Sequence, residues 1–403
     1  MTDASPNPPS TPGTAAEVFR AFLRLGLLSF GGPIAHLGYF HTEFVERRLW
    51  CSEESFAEIV ALAQSMPGPA SSQVGFALGL LRAGWPGALA AWIAFTMPSA
   101  LLMLAFAFGH QWITGKTGLG VVHGLQLVAV AVVAQAILSM RKSLAPDLPR
   151  LALAAAAAGI MFFAPPSAAT ILAILFGAFF GLILPRPAQL APSHPLGFRL
   201  PKSTALAAAA IFFGLLFLLP IADSLAPSPP VAVFNAFYRA GALVFGGGHV
   251  VLPLLENAVV ARGWVDQQTF LSGYGAAQAL PGPLFTFAAY LGAVIGPAPH
   301  GLSGAIIALV ALFLPGLLLV YGMLPFWDGL RLRPAAQAAM LGANAAVVGI
   351  LGAALYNPVW TSAVLSPPDF VFALAGFLLL TVGKAPPWII VLLLAAAGTL
   401  HLI

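Results

Sequence analysis

Charge is the scarcest property of this sequence: 17 basic and 13 acidic side chains among 403 residues make 7% charged, where a soluble domain carries about 25%. With 60% hydrophobic residues, that shortage excludes a soluble globule and leaves a polytopic helical membrane protein. Cysteine is scarcer still. The single Cys51 excludes an internal disulfide and a thiolate metal cluster, and reads as a packing residue near a helix end. Also missing are a Gly-rich phosphate loop with its Lys, a His-Glu-x-x-His helix and a carboxylate pair deep in an apolar span. The expectation is therefore no enzyme, no cofactor and no metal, and ATP-driven transport would need a partner subunit. The net charge of +4 comes from bases scattered singly between apolar runs, which argues against a nucleic-acid partner and leaves those bases to set membrane topology. Residues 1–17 are rich in Pro, Ser and Thr, lack the basic and apolar stretches of a signal peptide, and read as a short disordered cytoplasmic tail.

What the chain does have is apolar runs. They fall near 18–40, 56–81, 85–110, 119–140, 150–164 and 167–184, then a linker rich in Pro and bases to Lys202, a lone run near 203–221, and six more near 233–255, 269–292, 302–325, 335–356, 369–384 and 387–402. Sliding the chain on itself explains this arrangement. Val18-Phe19-Arg20-Ala21-Phe22 lies over Val233-Phe234-Asn235-Ala236-Phe237, Phe30-Gly31-Gly32 over Phe245-Gly246-Gly247, Pro98 over Pro315, and Ala164-Pro165-Pro166 over Ala385-Pro386-Pro387. The reading is a first transmembrane repeat at 18–184, a linker at 185–232 with one transmembrane helix, and a second repeat at 233–403.

With the N-terminus inside and thirteen spans, Arg20, Arg82, Arg141, Lys142, Arg150, Arg186, Arg199, Lys202, Arg262, Arg331, Arg333 and Lys384 fall on the cytoplasmic side. Arg47, Arg48 and Lys116 fall outside, and Arg24 and Arg239 lie within spans. The odd central span makes the repeats antiparallel, an inverted repeat. Alternatively the short hairpins 150–184 and 369–403 are re-entrant, leaving five full spans per half.

Both repeats carry the same interruption, Pro67-Gly68-Pro69 and Pro281-Gly282-Pro283. Pro-Gly-Pro cannot be continuous helix, and a break inside hydrocarbon survives only where it is buried in protein or lines a watery cavity. The two breaks therefore mark a binding site between related halves. Around them stand Gly31 and Gly32, with Gly246 and Gly247, which read either as close-packing residues or as unwound backbone presenting amides to an anion. Gln64 and Gln278 precede the breaks, while Ser71, Ser72 and Thr286 follow them; each serves either an anion or the broken backbone. Arg24 and Arg239 occupy one repeat position and read as a forked clamp for a tetrahedral dianion or as snorkelling anchors. Proton-coupling candidates are His36, His249 and Glu43, against the alternatives of structural histidines and a solvated acidic loop.

These motifs, together with the turns Arg48-Leu49-Trp50 and Arg262-Gly263-Trp264, resemble a long-chain member of the chromate ion transporter family over about residues 18–403. The resemblance implies export of chromate from the bacterial cytoplasm across the inner membrane, driven by the membrane potential or a proton gradient. It also implies chromate resistance, with the N-terminus cytoplasmic. Its partners would be chromate or a sulfate-like oxyanion, the lipid bilayer and a second copy of the chain. Gly248 and His249 stand where the first repeat has Pro33 and Ile34, so the copies need not contribute equally. The alternatives are symport uptake of sulfate or another tetrahedral oxyanion, and an integral-membrane enzyme.

Overall fold

The computed structural model describes residues 13–30, 32–110, 115–184, 198, 200–245, 248–296, 299–330 and 333–402, and among them all regular structure is helical. α1 (Ala15–Leu28) starts at Thr14, whose hydroxyl accepts from the Glu17 amide. Its 14 residues reach about 21 Å, short of a hydrocarbon core of about 30 Å. The chain turns back instead of crossing: Gly32, at φ +77°, opens α2 (Gly32–His41). Phe22 then stacks on Phe44 at 4.7 Å and meets Phe40 edge-on at 5.4 Å. In one continuous helix Phe22 and Phe40 would stand about 27 Å apart.

The same reversal recurs at the first Pro-Gly-Pro. α3 (Glu53–Ser65), capped by Ser52, runs up to it and α4 (Ala70–His110) runs away. Arg82, at the end of the first arm of α4, returns to within 5.6 Å of the Trp50 ring that precedes α3. A further fold at Ala83 and Gly84 (φ +64°) sends 85–110 back alongside 70–82, with the Gly79 and Gly87 backbones abutting. α5 (Gly115–Leu144) follows, then a hairpin of two 16-residue helices, α6 (Leu148–Phe163) and α7 (Pro166–Gly181), and the poorly covered α8 (Lys202–Leu225).

The second half repeats the scheme. α9 (Pro229–Ala242) pairs with α10 (Val251–Val259), and α11 (Gln267–Ala277) with α12 (Phe287–Val294). The Tyr290 hydroxyl donates to the Thr269 carbonyl at 3.1 Å, which only a reversal permits. α13 (Gly301–Met323), α14 (Trp327–Leu330), α15 (Pro334–Ala354), α16 (Thr361–Ala363), α17 (Pro367–Thr381) and α18 (Pro387–Leu402) complete the chain. Among the described residues, five helical segments are long and apolar enough to cross a membrane by length and composition: Ala70–Gly109, Thr117–Leu144, Lys202–Leu225, Gly301–Phe326 and Pro334–Ala363. The first of these contains the fold at Gly84.

The hairpins alter the topology expected from the sequence. Arg82 pairs with Glu17 at 3.1 Å, Arg48 and Arg82 both stand over Trp50, and the Trp327 indole donates to Glu58 at 3.0 Å, so one face gathers all these residues with the N-terminal end of α1. On the opposite face Asn235 donates to Asp223 at 3.1 Å, and Gly296 donates to the carbonyl of Trp264, whose ring lies under Arg262. Runs 18–40 and 56–81 are thus re-entrant rather than crossing. Arg47 and Arg48 lie on the N-terminal face, and Arg262 on the other. Two reversals restore the parity of two crossings, so segments beyond Arg82 keep their expected relation to the N-terminus, apart from the equivalent loop near Arg262.

The short hairpins are exchanged between repeats. α6 and α7 pack on α15 of the second repeat, where Gly349 abuts Ala154 and Gly342 abuts Gly177 and Gly181. Reciprocally, α17 and α18 pack on α5 of the first repeat, with Gly120 and Gly124 against Thr399 and Ala395. These contacts use small residues to bring backbones together, the main route to close helix association in lipid. One of them is also pinned by a hydrogen bond to a carboxylate. His123 of α5 lies 2.7 Å from Asp369, whose carboxylate also accepts from the Leu365 amide at 3.0 Å and the Ser366 hydroxyl at 2.8 Å.

Candidate functional site

The four helix breaks meet at the centre. The Gly68 amide donates to the Val244 carbonyl at 2.7 Å, and the Gly282 amide to the Ser29 carbonyl at 2.8 Å. This is one bond made twice, because Ser29 and Val244 hold the same repeat position, just before Phe30 and Phe245. Each Pro-Gly-Pro tip is therefore fastened to the break of the other repeat. Both contacts require glycine. Gly68 sits at φ +125°, and a Cβ there would stand 2.8 Å from the Gly316 Cα; Gly282 sits at φ +93°, and its Cβ would stand 2.8 Å from Ser99 Oγ. The first and third breaks are joined by Pro33, whose ring lies 3.2 Å from where a Gly248 Cβ would be.

The polar lining comes mostly from the first repeat. His36 is fully buried, with Nε2 3.2 Å from the Ser29 carbonyl and Nδ1 3.3 Å from Ser71 Oγ, and its ring meets Phe95 edge-on. Gln73 spans the seam, donating to the carbonyls of Pro67 at 3.0 Å and Gly316 at 3.1 Å. Trp92, Thr96 and Ser99 follow one another on a face of the second arm of α4, at the spacing i, i+4, i+7 that shares a helix face. In the second repeat the positions of Ser29, His36, Ser71 and Gln73 are held by Val244, Val251, Phe285 and Phe287.

Several buried donors here have no partner. Ser29 Oγ, Ser72 Oγ, Thr96 Oγ1 and Trp92 Nε1 are all unsatisfied, although an orphaned buried polar group costs about 1–3 kcal/mol; the Gln278 amide lies against the Tyr274 hydroxyl. The first turn of α4 adds the amides of Ala70, Ser71 and Ser72, which have no acceptor within the helix, at its positive end. The segments 29–36, 64–73, 92–99, 243–251, 278–287 and 309–316 contain no charged residue. The lining is therefore neutral: its hydroxyl, indole and amide donors suit an anion, and Gln73 Oε1 stands among them as an unpartnered acceptor.

Comparison with known proteins agrees with this chemistry. The family described as Chromate transporter matches residues 16–182 and again 231–399. The chain belongs to the chromate transporter family. A probable chromate transport protein of Synechococcus elongatus is 30% identical over 352 residues, covering 84% of this chain and 83% of that protein. The chromate transport protein of Pseudomonas aeruginosa is 30% identical over 366 residues (87% and 82%), and that of Cupriavidus metallidurans 28% over 372 (87% and 86%). No solved structure matches the chain. The family's two matched regions cover α1 to α7 and α9 to α18, and α8 lies in neither.

Of the residues singled out in the sequence, the structure gathers Gly32, Pro67, Gly68, Pro69, Ser71, Ser72, Pro281, Gly282, Pro283, Thr286, Gln278 and His36 about the tips. Gly31, Gly246 and Gly247 lie outside the described residues. The Thr286 hydroxyl is spent on the Pro283 carbonyl at 2.9 Å, and His249 bonds Tyr274 at 3.0 Å. Gln64 is exposed, unlike its repeat partner Gln278. Arg24 is exposed and Arg239 half-buried, each five residues short of its break on arms that arrive from opposite faces. Burial, opposed by Asp223 and reinforced by Arg239, lowers the Arg262 guanidinium, so Arg239 belongs to a cluster toward the face opposite the N-terminus. Burial pushes the Glu43 carboxyl up, but hydrogen bonds from Arg48 at 2.6 Å and Arg47 at 3.0 Å outweigh it and hold it below its ordinary value. A carboxylate so held stays ionised at neutral pH. The sequence reading passed over Ser29, Trp92, Thr96, Ser99 and the His123–Asp369 pair; the stripe at 92, 96 and 99 was a visible signal, three polar-tipped residues on one face of an apolar run.

Proposed function

We propose that this protein is a secondary active transporter that exports chromate across a bacterial inner membrane, with its N-terminus in the cytoplasm. In this reading the oxyanion binds where the four breaks meet, taking hydrogen bonds from Ser29, Ser72, Thr96 and Gln278 and from the amides that open α4. The observation that supports it most strongly is the set of unpartnered buried donors in an uncharged, glycine-walled centre. Chromate enters the proposal from the relatives, which are chromate transport proteins. Arg24 and Arg239, on arms toward opposite faces, then act as approach charges that raise the local concentration of the anion, rather than as one clamp. Exchange of the tip contacts between the two repeats would open the centre to each face in turn.

The test is chromate flux into proteoliposomes, with sulfate as competitor and with an imposed potential or pH gradient. Ser72→Ala and Thr96→Val should each raise the chromate concentration for half-maximal flux by roughly ten-fold, the loss of one hydrogen bond to a charged group. Unaltered affinity in both variants would move the site away from the tips.

A further inference from the structure

The bonding of His36 dictates where its hydrogens lie. A carbonyl only accepts, so the 3.2 Å contact with the Ser29 carbonyl places a hydrogen on Nε2. In the neutral ring Nδ1 then has no hydrogen and accepts from the Ser71 hydroxyl at 3.3 Å. Ser71 consequently turns its O–H toward His36 and presents only lone pairs elsewhere. It opens α4 beside Ser72, at the positive helix end where the preceding reading places the oxyanion, so in this state it repels what its neighbours attract. Protonation of Nδ1 reverses the bond. The ring now donates to Ser71 Oγ, and the hydroxyl is released to donate onward.

We propose, building on the reading of the tips as the anion site, that His36 takes up one proton as the oxyanion binds and that Ser71 relays it as a hydrogen bond by turning its hydroxyl to the anion. Reciprocity follows, since an anion that prefers protonated His36 must also favour its protonation. The immediate surroundings contain no competing charge: the groups against the ring are the Ser29 carbonyl, the Ser71 hydroxyl and the edge of Phe95. On the elements packed around α2, Arg82 is paired with Glu17, Glu43 with Arg47 and Arg48, and Arg20 and Arg24 are exposed on α1. The second repeat has Val251 and Phe285 at the positions of His36 and Ser71, and His249, the histidine beside its break, bonds Tyr274 instead, so the relay occurs once per chain.

The test is chromate binding to the purified full-length protein at about pH 8 and about pH 6, together with proton uptake on binding in weak buffer. Chromate's own protonation acts equally on every variant, so ratios between variants isolate the protein's contribution. On acidification the affinity of the wild type relative to His36→Gln should rise about ten-fold, and the variant should take up fewer protons per anion. Ser71→Ala should lose most of that gain and Ser71→Thr keep it; if His36→Gln fails to accumulate, the Ser71 pair alone decides. Identical pH profiles in wild type, His36→Gln and Ser71→Ala would make His36 purely structural and overturn the inference while leaving the anion site standing. Absence of chromate binding in the wild type would instead remove the reading on which it rests.

Discussion

Gly68→Ala tests whether the centre is held together as described. The added methyl would sit at φ +125° and 2.8 Å from the Gly316 Cα. Holding a non-glycine residue in such a backbone region costs on the order of 1–3 kcal/mol. The overlap adds about 1–3 kcal/mol of overpacking, because the obstacle is another helix's backbone and cannot swing aside. The sum, about 2–6 kcal/mol, is one to four powers of ten in the occupancy of the joined tips. Gly282→Ala carries similar strain at φ +93°, but its methyl meets Ser99 Oγ at 2.8 Å, with the Phe95 carbonyl at 3.3 Å and Ser99 Cβ at 3.4 Å. Adding Ser99→Ala should therefore recover the larger part of the overpacking and leave the strain and the Phe95 contact, a non-additive pair. Thermal inactivation midpoints of the detergent-solubilised variants and initial chromate flux measure both. A Gly68→Ala protein with wild-type stability and flux, or a Gly282→Ala protein that Ser99→Ala does not help, would refute the reasoning.

The re-entrant hairpins are checked by impermeant thiol labelling in a Cys51→Ser background. Glu46→Cys and Ser143→Cys should react from one side of the membrane, and Ser224→Cys and Ala261→Cys from the other; reaction of Glu46→Cys from the side opposite Ser143→Cys would restore two crossing helices. The His123–Asp369 pair has a signed prediction of its own. Asp369 is only 2% exposed, and without His123 its carboxylate keeps the Leu365 amide and the Ser366 hydroxyl, so His123→Ala should cost about 1.5–3 kcal/mol, one hydrogen bond to a charged group. Adding Asp369→Asn should return most of it, because no charge is then left buried. Equal melting temperatures for the single and double variants would mean the pair contributes through shape alone.

The landmarks legible in the sequence were those that recur. Gly and Pro positions aligned across the halves mark the two Pro-Gly-Pro breaks and leave the Gly-Gly pairs open between packing and unwinding, because backbone exceptions in lipid are expensive and so are repeated with the structure that tolerates them. Direction was not legible. A run such as 56–81 is equally apolar whether the chain crosses or returns, and contacts such as Arg82 beside Trp50 and Glu17 distinguish the two. The arginines were the loudest polar signal, yet they stand on the arms, while the centre is lined by hydroxyls such as Ser29 and Thr96 that composition does not single out. Gly120, Gly124, Gly342 and Gly349 were not singled out as packing residues in the sequence, and a small-residue groove records how near a neighbour comes and not which helix it is.

The exchanged hairpins impose an order on biosynthesis. α5 is among the first long helices to be made, but the pair that seats on Gly120 and Gly124 begins only at Pro367. Until the last forty or so residues have entered the bilayer, the first half must wait with that groove open to lipid, and α6 and α7 wait likewise for α15. Neither half reaches its final packing alone during synthesis, so a chain released early, anywhere short of α17, leaves both halves incomplete rather than one finished and one missing.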